Sequence, residues 1–384
     1  SHLLSAGWAG APFAAGAAIT VRRACAPAPA GAAPVNVKDP PYGAKGDGIA
    51  DDTAALQRAI TAVAGTGGTV LVPGGTYLVN TVSNGSRGLV LGGRMTLRLA
   101  PDATLKAIPN AAPSSTIVSV AFASQVRVEG GTLLGDRSAH TGAAGEWGMG
   151  LAIQDSRQVQ VCGVTARDCW GDGFYVSGSA RVEFCSVLAE HNRRNGLSIT
   201  GCAGITVRAS VFRGSQGTAP EAGLDIEPNA GQTVSDAVIS GCVFADNAGS
   251  GLETGVGDSD LGRAFTRGVV IDGNSFTGNG RNPADRTVKM AIRVSNCPGA
   301  RVTGNVILDN AGQGIYLRYK AEDCLVAGNS VLFTAGDGIV QASCAGNRIQ
   351  GNRVLRNSGY GIRSINCSGG AVAGNSLAEN GLTP

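Results

Sequence analysis

Residues 159–200 read VQVCGVTARDCWGDGFYVSGSARVEFCSVLAEHNRRNGLSIT, and one phrase occurs twice in them. Gly173-Phe174-Tyr175-Val176-Ser177 returns 23 residues later as Gly196-Leu197-Ser198-Ile199-Thr200. Alternation of apolar and polar residues marks a strand with one buried face. Recurrence at a fixed interval marks a stacked-repeat architecture, in which no unit can bury its apolar face alone.

The same phrase extends in both directions. It opens upstream as Gly150-Leu151-Ala152-Ile153-Gln154 and continues as Gly223-Leu224-Asp225-Ile226-Glu227, Gly251-Leu252-Glu253, Ala291-Ile292-Arg293-Val294-Ser295 and Gly314-Ile315-Tyr316-Leu317-Arg318. A second phrase, a Cys, Ser or Asn two residues before an apolar one, recurs at Cys162, Cys185, Ser210, Cys242, Asn274, Asn305, Asn329, Asn352 and Asn375. Its intervals are 23, 25, 32, 32, 31, 24, 23 and 23 residues. Short strands joined by Gly and Asn turns at this period predict an all-β chain, a parallel β-helix of coils about 23 residues long. The second phrase is expected to occupy one equivalent position, where stacked Asn side chains bond to one another and Cys serves as a small buried apolar residue.

Composition agrees with a long core built from many turns. Of 384 residues 59 are glycine, about twice the usual share, while hydrophobic residues reach 43% and charged ones only 15%. A net charge of +3 with no basic run excludes a nucleic-acid footprint. No stretch approaches the roughly 18 unbroken apolar residues of a membrane span, so no membrane partner is expected. Residues 1–35 are Ala/Gly/Pro-rich and lack a basic start followed by an apolar core, so they are expected to be a mature terminus. Residues 36–384 are expected to form a single solenoid. Cys202, Cys297, Cys324, Cys344 and Cys367 fall in turns before strands, where rung-to-rung disulfides are sterically allowed and buried thiols are expected. No Cys-x-x-Cys pairs with a second or with a nearby His, so no metal site is expected.

A solenoid needs a cap. Asp51 or Asp52 can start a helix running to about Val63, with Ala55, Leu56, Ala59, Ile60 and Val63 at helical spacing. Around it run Val37-Lys38-Asp39, Tyr42-Gly43-Ala44-Lys45-Gly46-Asp47-Gly48 and Gly67-Gly68-Thr69-Val70-Leu71-Val72-Pro73-Gly74-Gly75-Thr76-Tyr77. This entrance, Val37 to Tyr77, resembles the start of the pectate-lyase-like β-helix superfamily. That group includes alginate C5-epimerase modules, polygalacturonase-related glycosidases and phage tailspike depolymerases. The resemblance implies a right-handed β-helix acting on a polysaccharide and located outside the cytoplasm: secreted, periplasmic, or on a cell or virion surface. It also implies a monomer or a homotrimer.

The intervals 210–242, 242–274 and 274–305 each carry about eight extra residues, and loops grafted on a rigid scaffold are where sites tend to lie. The same coils hold Asp225 and Glu227, two apart and about 7 Å along one face, with Glu253 on the next coil about 4.8 Å away. Arg293, Tyr316, Arg318 and Lys320 are expected to continue that face. Tyr175, Ser177, Ser198 and Thr200 precede it, with Asp172, His191, Arg193 and Arg194 in adjoining turns. Paired carboxylates suit acid/base cleavage of a glycosidic bond. Asp225, Glu227 and Glu253 are therefore the candidate catalytic groups. Tyr175, Arg293, Tyr316, Arg318, Lys320, Asp172 and His191 are the candidate substrate contacts. Trp147 and Trp170 either stack on sugar rings or pack.

Three chemistries fit these residues. Hydrolysis needs no cofactor. A uronate lyase would use Ca²⁺ on the three carboxylates and Arg293 or Tyr316 as base. A non-catalytic glycan-binding fibre needs neither. The only histidines are His2, His140 and His191, so the Gly-His-Gly strand of polygalacturonase relatives is absent; Arg318-Tyr319-Lys320 is weakly similar to their Arg-x-Lys element. Asp172-Gly173-Phe174-Tyr175-Val176-Ser177 lacks the acid and histidine of the epimerases' Tyr-Gly-Phe-Asp-Pro-His. These motifs do not decide among the three; the paired carboxylates make hydrolysis the expectation, with a lyase or C5-epimerase, or a non-catalytic glycan-binding fibre, as the alternatives.

Overall fold

The computed structural model describes residues 33–255, 265–281 and 289–382; the expectation for the amino-terminal segment lies outside them apart from its last residues. Each coil visits three parallel sheets in turn. Arg157–Cys162 lies in the first, Thr165–Arg167 in the second and Phe174–Ser177 in the third, before Ala180–Cys185 returns to the first. Among the described residues the sheets hold 14, 13 and 11 strands, each strand pairing with its counterparts on the coils before and after. No described helix is long and apolar enough to cross a membrane.

The alternation read from the sequence places one apolar column per sheet inside. In the second sheet Phe212, Phe244 and Phe276 stack ring on ring at 5.3 and 4.7 Å, all fully buried. Burying such a ring contributes about 1.5–3 kcal/mol. In the third sheet Leu151, Phe174, Leu197, Leu224, Leu252, Ile292 and Ile315 continue one inward row. All of these but Ile292, which follows Ala291, are preceded by a glycine, and that glycine has a steric reason. A Cβ at Gly196 would lie 2.4 Å from the carbonyl oxygen of Gly223, and one at Gly223 would lie 2.6 Å from that of Gly251.

The entrance helix spans Thr53–Val63 and buries Leu56, Ala59, Ile60 and Val63. Neither acid caps it in the way the sequence suggests. Asp52 stands at the N-cap, but its carboxylate accepts the N–H groups of Lys45 and Gly46 at 2.6 and 2.9 Å. Asp51 instead accepts the N–H of Thr53 at 3.0 Å. Asp52 therefore fastens the cap to the Lys45-Gly46 turn, which passes over the buried Tyr77 ring so closely that only glycine fits at 46.

Between the first and second sheets the chain turns in two residues, one left-handed and one buried. The buried positions are Ser210, Cys242, Asn274, Asn305, Asn329 and Asn352, followed by the half-buried Asn375. Each Asn amide from 274 to 352 donates to the Oδ1 of the next at 2.9–3.1 Å. The same oxygen accepts the N–H one coil earlier at 2.8–3.0 Å. Cys162 and Cys185 are not members of this ladder. They close first-sheet strands, pair with each other and precede Arg208, and the ladder position two residues later holds Val164 and Val187. The 25-residue interval in the sequence is this two-residue offset. Cys202, Cys242, Cys297, Cys324 and Cys344 are buried thiols. A second ladder, unread from the sequence, joins Asn247, Asn279 and Asn310 at 2.9 Å in the corner between the second and third sheets.

An unsatisfied buried donor costs about 1–3 kcal/mol. Asn329→Ala, which strands the N–H and amide of Asn305, should lower chain stability by that amount in urea unfolding. A change at the exposed Arg301 should stay within about 0.5 kcal/mol. Equal effects of the two would refute the structural role of the ladder.

Candidate active site

The added residues of the long intervals all flank the third sheet. The corner before Leu224–Ile226 uses ten residues, 214–223, where the previous coil uses six, 191–196. The extra length of the next two intervals lies around residues 255–264 and 278–289, parts of which are outside the described residues. At the first of these coils the described residues lengthen the third sheet's corner on both sides, with 214–223 before Leu224–Ile226 and 227–232 after it.

Its outward row is fixed by register. Val90, Ser119, Ala152, Tyr175, Ser198, Asp225, Glu253, Arg293, Tyr316, Val340 and Arg363 face one another rung by rung. Asp225 and Glu253 are thus adjacent, with an arginine on the next rung and a tyrosine on the rung after that. Glu227, just past its strand, lies on the same side, half-buried. Arg318 belongs to the neighbouring row, opposite Ser295. It covers the exposed Tyr319 ring at 4.3 Å. Lys320 is off the face altogether, exposed in the left-handed corner beyond the strand, because the strand ends at Arg318.

The floor of this row is dry. Asp225 is 3% exposed and Glu253 6%. Burial first, then the charges of Glu253 and Glu227, push the Asp225 carboxyl well above the ordinary carboxylate range; Arg194 and Arg293 oppose this. Asn195 donates to Asp225 at 3.4 Å and to the Ser198 hydroxyl at 3.0 Å. Glu253 faces Arg293 at 3.6 Å. The buried Nε of Arg293 has no hydrogen-bond partner among the described residues.

Asp172 is a buttress for this floor. Fully buried, it accepts the N–H of Asn195 at 3.0 Å and pairs with Arg194 at 3.3 Å. Burial raises its carboxyl and Arg194 opposes the shift. Burial alone would lower the Arg194 guanidinium, but Asp172, Asp225, Glu146 and Glu227 around it push it up. Arg194 also reaches Ser198 at 3.2 Å and Glu146 at 3.7 Å. Asn195 and Glu146 were not singled out in the sequence. The Arg194-Asn195 turn immediately before Gly196 was the available signal, since its side chains must fall at the edge of the row.

The other candidates divide. Tyr175 lies on the row two rungs before Asp225, its hydroxyl 3.3 Å from that of Thr200. His191 is exposed in a left-handed corner beyond the second sheet. Its recorded backbone partners are Arg213 and Arg137, so it is not brought to the carboxylates. Trp170 is packing: its ring lies between His140 at 4.0 Å and the Arg193 guanidinium at 3.9 Å. Trp147 is 48% exposed.

A calcium cage does not match this arrangement. No three acidic, His or Cys side chains among the described residues are grouped to hold a metal ion, and the carboxylates of the row face Arg194 and Arg293. A groove of about 810 Å³ lies along the first sheet, lined by Gln125, Arg127, Gln158, Gln160, Arg181 and Glu183 among others. There Arg127 donates to Gln160 and Gln160 to Glu183, which also accepts from Arg208, so part of its polar lining is paired internally. The third-sheet row is the one that concentrates perturbed charge, which is the better mark of a working site.

Residues 34–119 match the family described as rhamnogalacturonase A/epimerase, pectate lyase-like, and residues 223–382 match the right-handed beta helix region. The uncharacterized protein YclG of Bacillus subtilis is 28% identical over 141 residues, 33% of this chain and 24% of that protein, so the match spans about a quarter of the relative. The mannuronan C-5 epimerase AlgE4 A-module of Azotobacter vinelandii superposes with a TM-score of 0.71 at 21% identity, covering 90% of this chain and 96% of that one. The Dettilon tailspike protein gives 0.70 at 16%, covering 90% and 68%. An exopolygalacturonase of Thermotoga maritima gives 0.60 at 14%, covering 91% and 92%. At these identities the likeness to the solved structures is one of fold. Three parallel sheets, the capped entrance and these matches together show a right-handed parallel β-helix whose first coils, residues 34–119, are similar to the pectate-lyase-like family.

Proposed function

We propose that this protein is a carbohydrate-active enzyme outside the cytoplasm that hydrolyses a polysaccharide along the third sheet. The observation that carries the reading is a buried carboxyl, Asp225, pushed well above the ordinary carboxylate range by burial and by the charges of Glu253 and Glu227, on a linear row of outward side chains. A carboxyl so raised can donate its proton to the leaving glycosidic oxygen. Glu227 is the more open acid and stands two residues along the chain, about 7 Å away. In this reading Glu227 would deprotonate a water for attack from the face opposite the leaving group. Glu253, backed by Arg293, raises the cost of a charge on Asp225. Asp172, Arg194 and Asn195 act as positioning residues, through Ser198 and Asp225. Tyr175 and Tyr316 bracket the acids and would meet sugar faces. Relatives of this fold whose names specify exopolygalacturonase, mannuronan C-5 epimerase or tailspike support a carbohydrate as the partner.

A second reading is favoured by the partnerless Nε of Arg293: a uronate carboxylate bound there would prepare elimination or epimerisation at C5. The two separate on a panel of neutral and uronic-acid polysaccharides, with and without EDTA. Hydrolysis yields new reducing ends without an unsaturated-uronate absorbance. Asp225→Asn and Glu227→Gln should each lower kcat by about 10²–10⁴. The first-formed anomer, read by NMR, should be inverted. Calcium-dependent absorbance would replace hydrolysis with the lyase, and a retained anomer would remove Glu227 from the role of base.

The raised carboxyl also has a thermodynamic signature. The folded chain keeps the Asp225 proton where the unfolded chain loses it, above about pH 3.9. Stability therefore falls as pH rises from there towards the folded-state value, the reverse of a salt-bridged acid. Asp225→Asn should flatten that decline in thermal unfolding measured from acid to neutral pH. A variant with the wild-type slope would mean that Asp225 ionises normally.

A further inference from the structure

Cys344 and Cys367 lie 23 residues apart, in the same corner of two successive coils, between the third and first sheets. The residues that follow them, Ala345 and Ser368, form a parallel bridge, and the N–H of Ser368 donates to the Cys344 carbonyl at 3.3 Å. The two sulfurs are 3.5 Å apart, in van der Waals contact. Bridged cysteines need Cα atoms about 4.4–6.8 Å apart, and stacked parallel strands sit about 4.8 Å apart. Rotation about the side-chain bonds is thus enough to bring the sulfurs together. Cys297 and Cys324, one coil earlier, differ: there the contact is from the Cys324 sulfur to the Cys297 carbonyl, at 3.5 Å.

We propose that Cys344 and Cys367 form a rung-to-rung disulfide when the folded chain meets a small-molecule disulfide. The Cys367 thiolate attacks the reagent and releases one thiol. Cys344 then attacks the mixed disulfide at the Cys367 sulfur and releases the second thiol. The protein loses two hydrogens and two electrons; the reagent gains both. Access favours this order, since Cys367 is half-exposed and Cys344 is 6% exposed. Burial pushes the Cys344 thiol up to about 12, so ring closure should quicken as pH rises from about 7 to about 9.

The test uses the full folded chain. It is incubated with oxidised glutathione, its remaining thiols are alkylated, and it is digested for mass spectrometry. A cross-linked peptide pair containing Cys344 and Cys367 is expected, about two mass units lighter than the sum of its reduced parts. It should be lost in Cys344→Ser and kept in Cys324→Ser. Complete alkylation of both thiols in a chain with unchanged circular dichroism would overturn the proposal. So would linkage of Cys367 to Cys25 or Cys324 instead.

Discussion

Every part of this molecule depends on parallel backbone pairing between one coil and the next. A lone coil has three short strands, an apolar inner face and two sets of unpaired backbone groups. Stacking satisfies the groups and covers the face at the same time, so the two gains cannot be separated. The corners are the weak points, because there the backbone turns away from the sheets while still buried. Asparagine resolves this: its side chain has a donor and an acceptor, and a column of them reproduces the coil-to-coil pairing outside the sheet. Serine at 210 and cysteine at 242 are what the same column tolerates nearer the entrance.

The candidate site follows from this regularity and from one departure from it. Outward positions of the third sheet are free of packing duty, so charged side chains can accumulate there without disturbing the core. The departure is the longer chain between successive rungs, whose described part, residues 214–223 and 227–232, lies on either side of the strand that carries Asp225. Dry surroundings then do the electrostatic work. Two carboxyls on adjacent rungs with an arginine on the next cannot all keep ordinary proton affinities, and Asp225 is the one pushed upward, by burial first and then by its acidic neighbours.

Much of this was legible in the residues. Alternation around Gly173 and Gly196 revealed the strands, and the 23-residue return revealed the stacking. The row from Tyr175 through Asp225 and Glu253 to Tyr316 could be aligned because strand parity is a property of local sequence. What could not be read were features decided by where strands stop. Cys162 and Cys185 look like members of the Asn column until the left-handed residue is located, and Lys320 looks like part of the row until Arg318 is seen to end its strand. Asp52 was misread because a helix start advertises a cap, whereas the carboxylate serves a turn six to seven residues earlier. His191 was drawn in by nearness in the chain to Arg194, though a corner separates their directions.

The outward row has a further implication. Its backbone repeats identically from Val90 to Arg363, so as a track it is periodic, while its chemistry is not: five rungs precede the acid pair and four follow it. Under the proposed reaction, a linear polymer laid along such a track would meet equivalent footing at every step but reactive groups at one place only, much as a notch marks one position on a ruler. Register against the rungs, and not the shape of a single pocket, would then decide which linkage meets the acids.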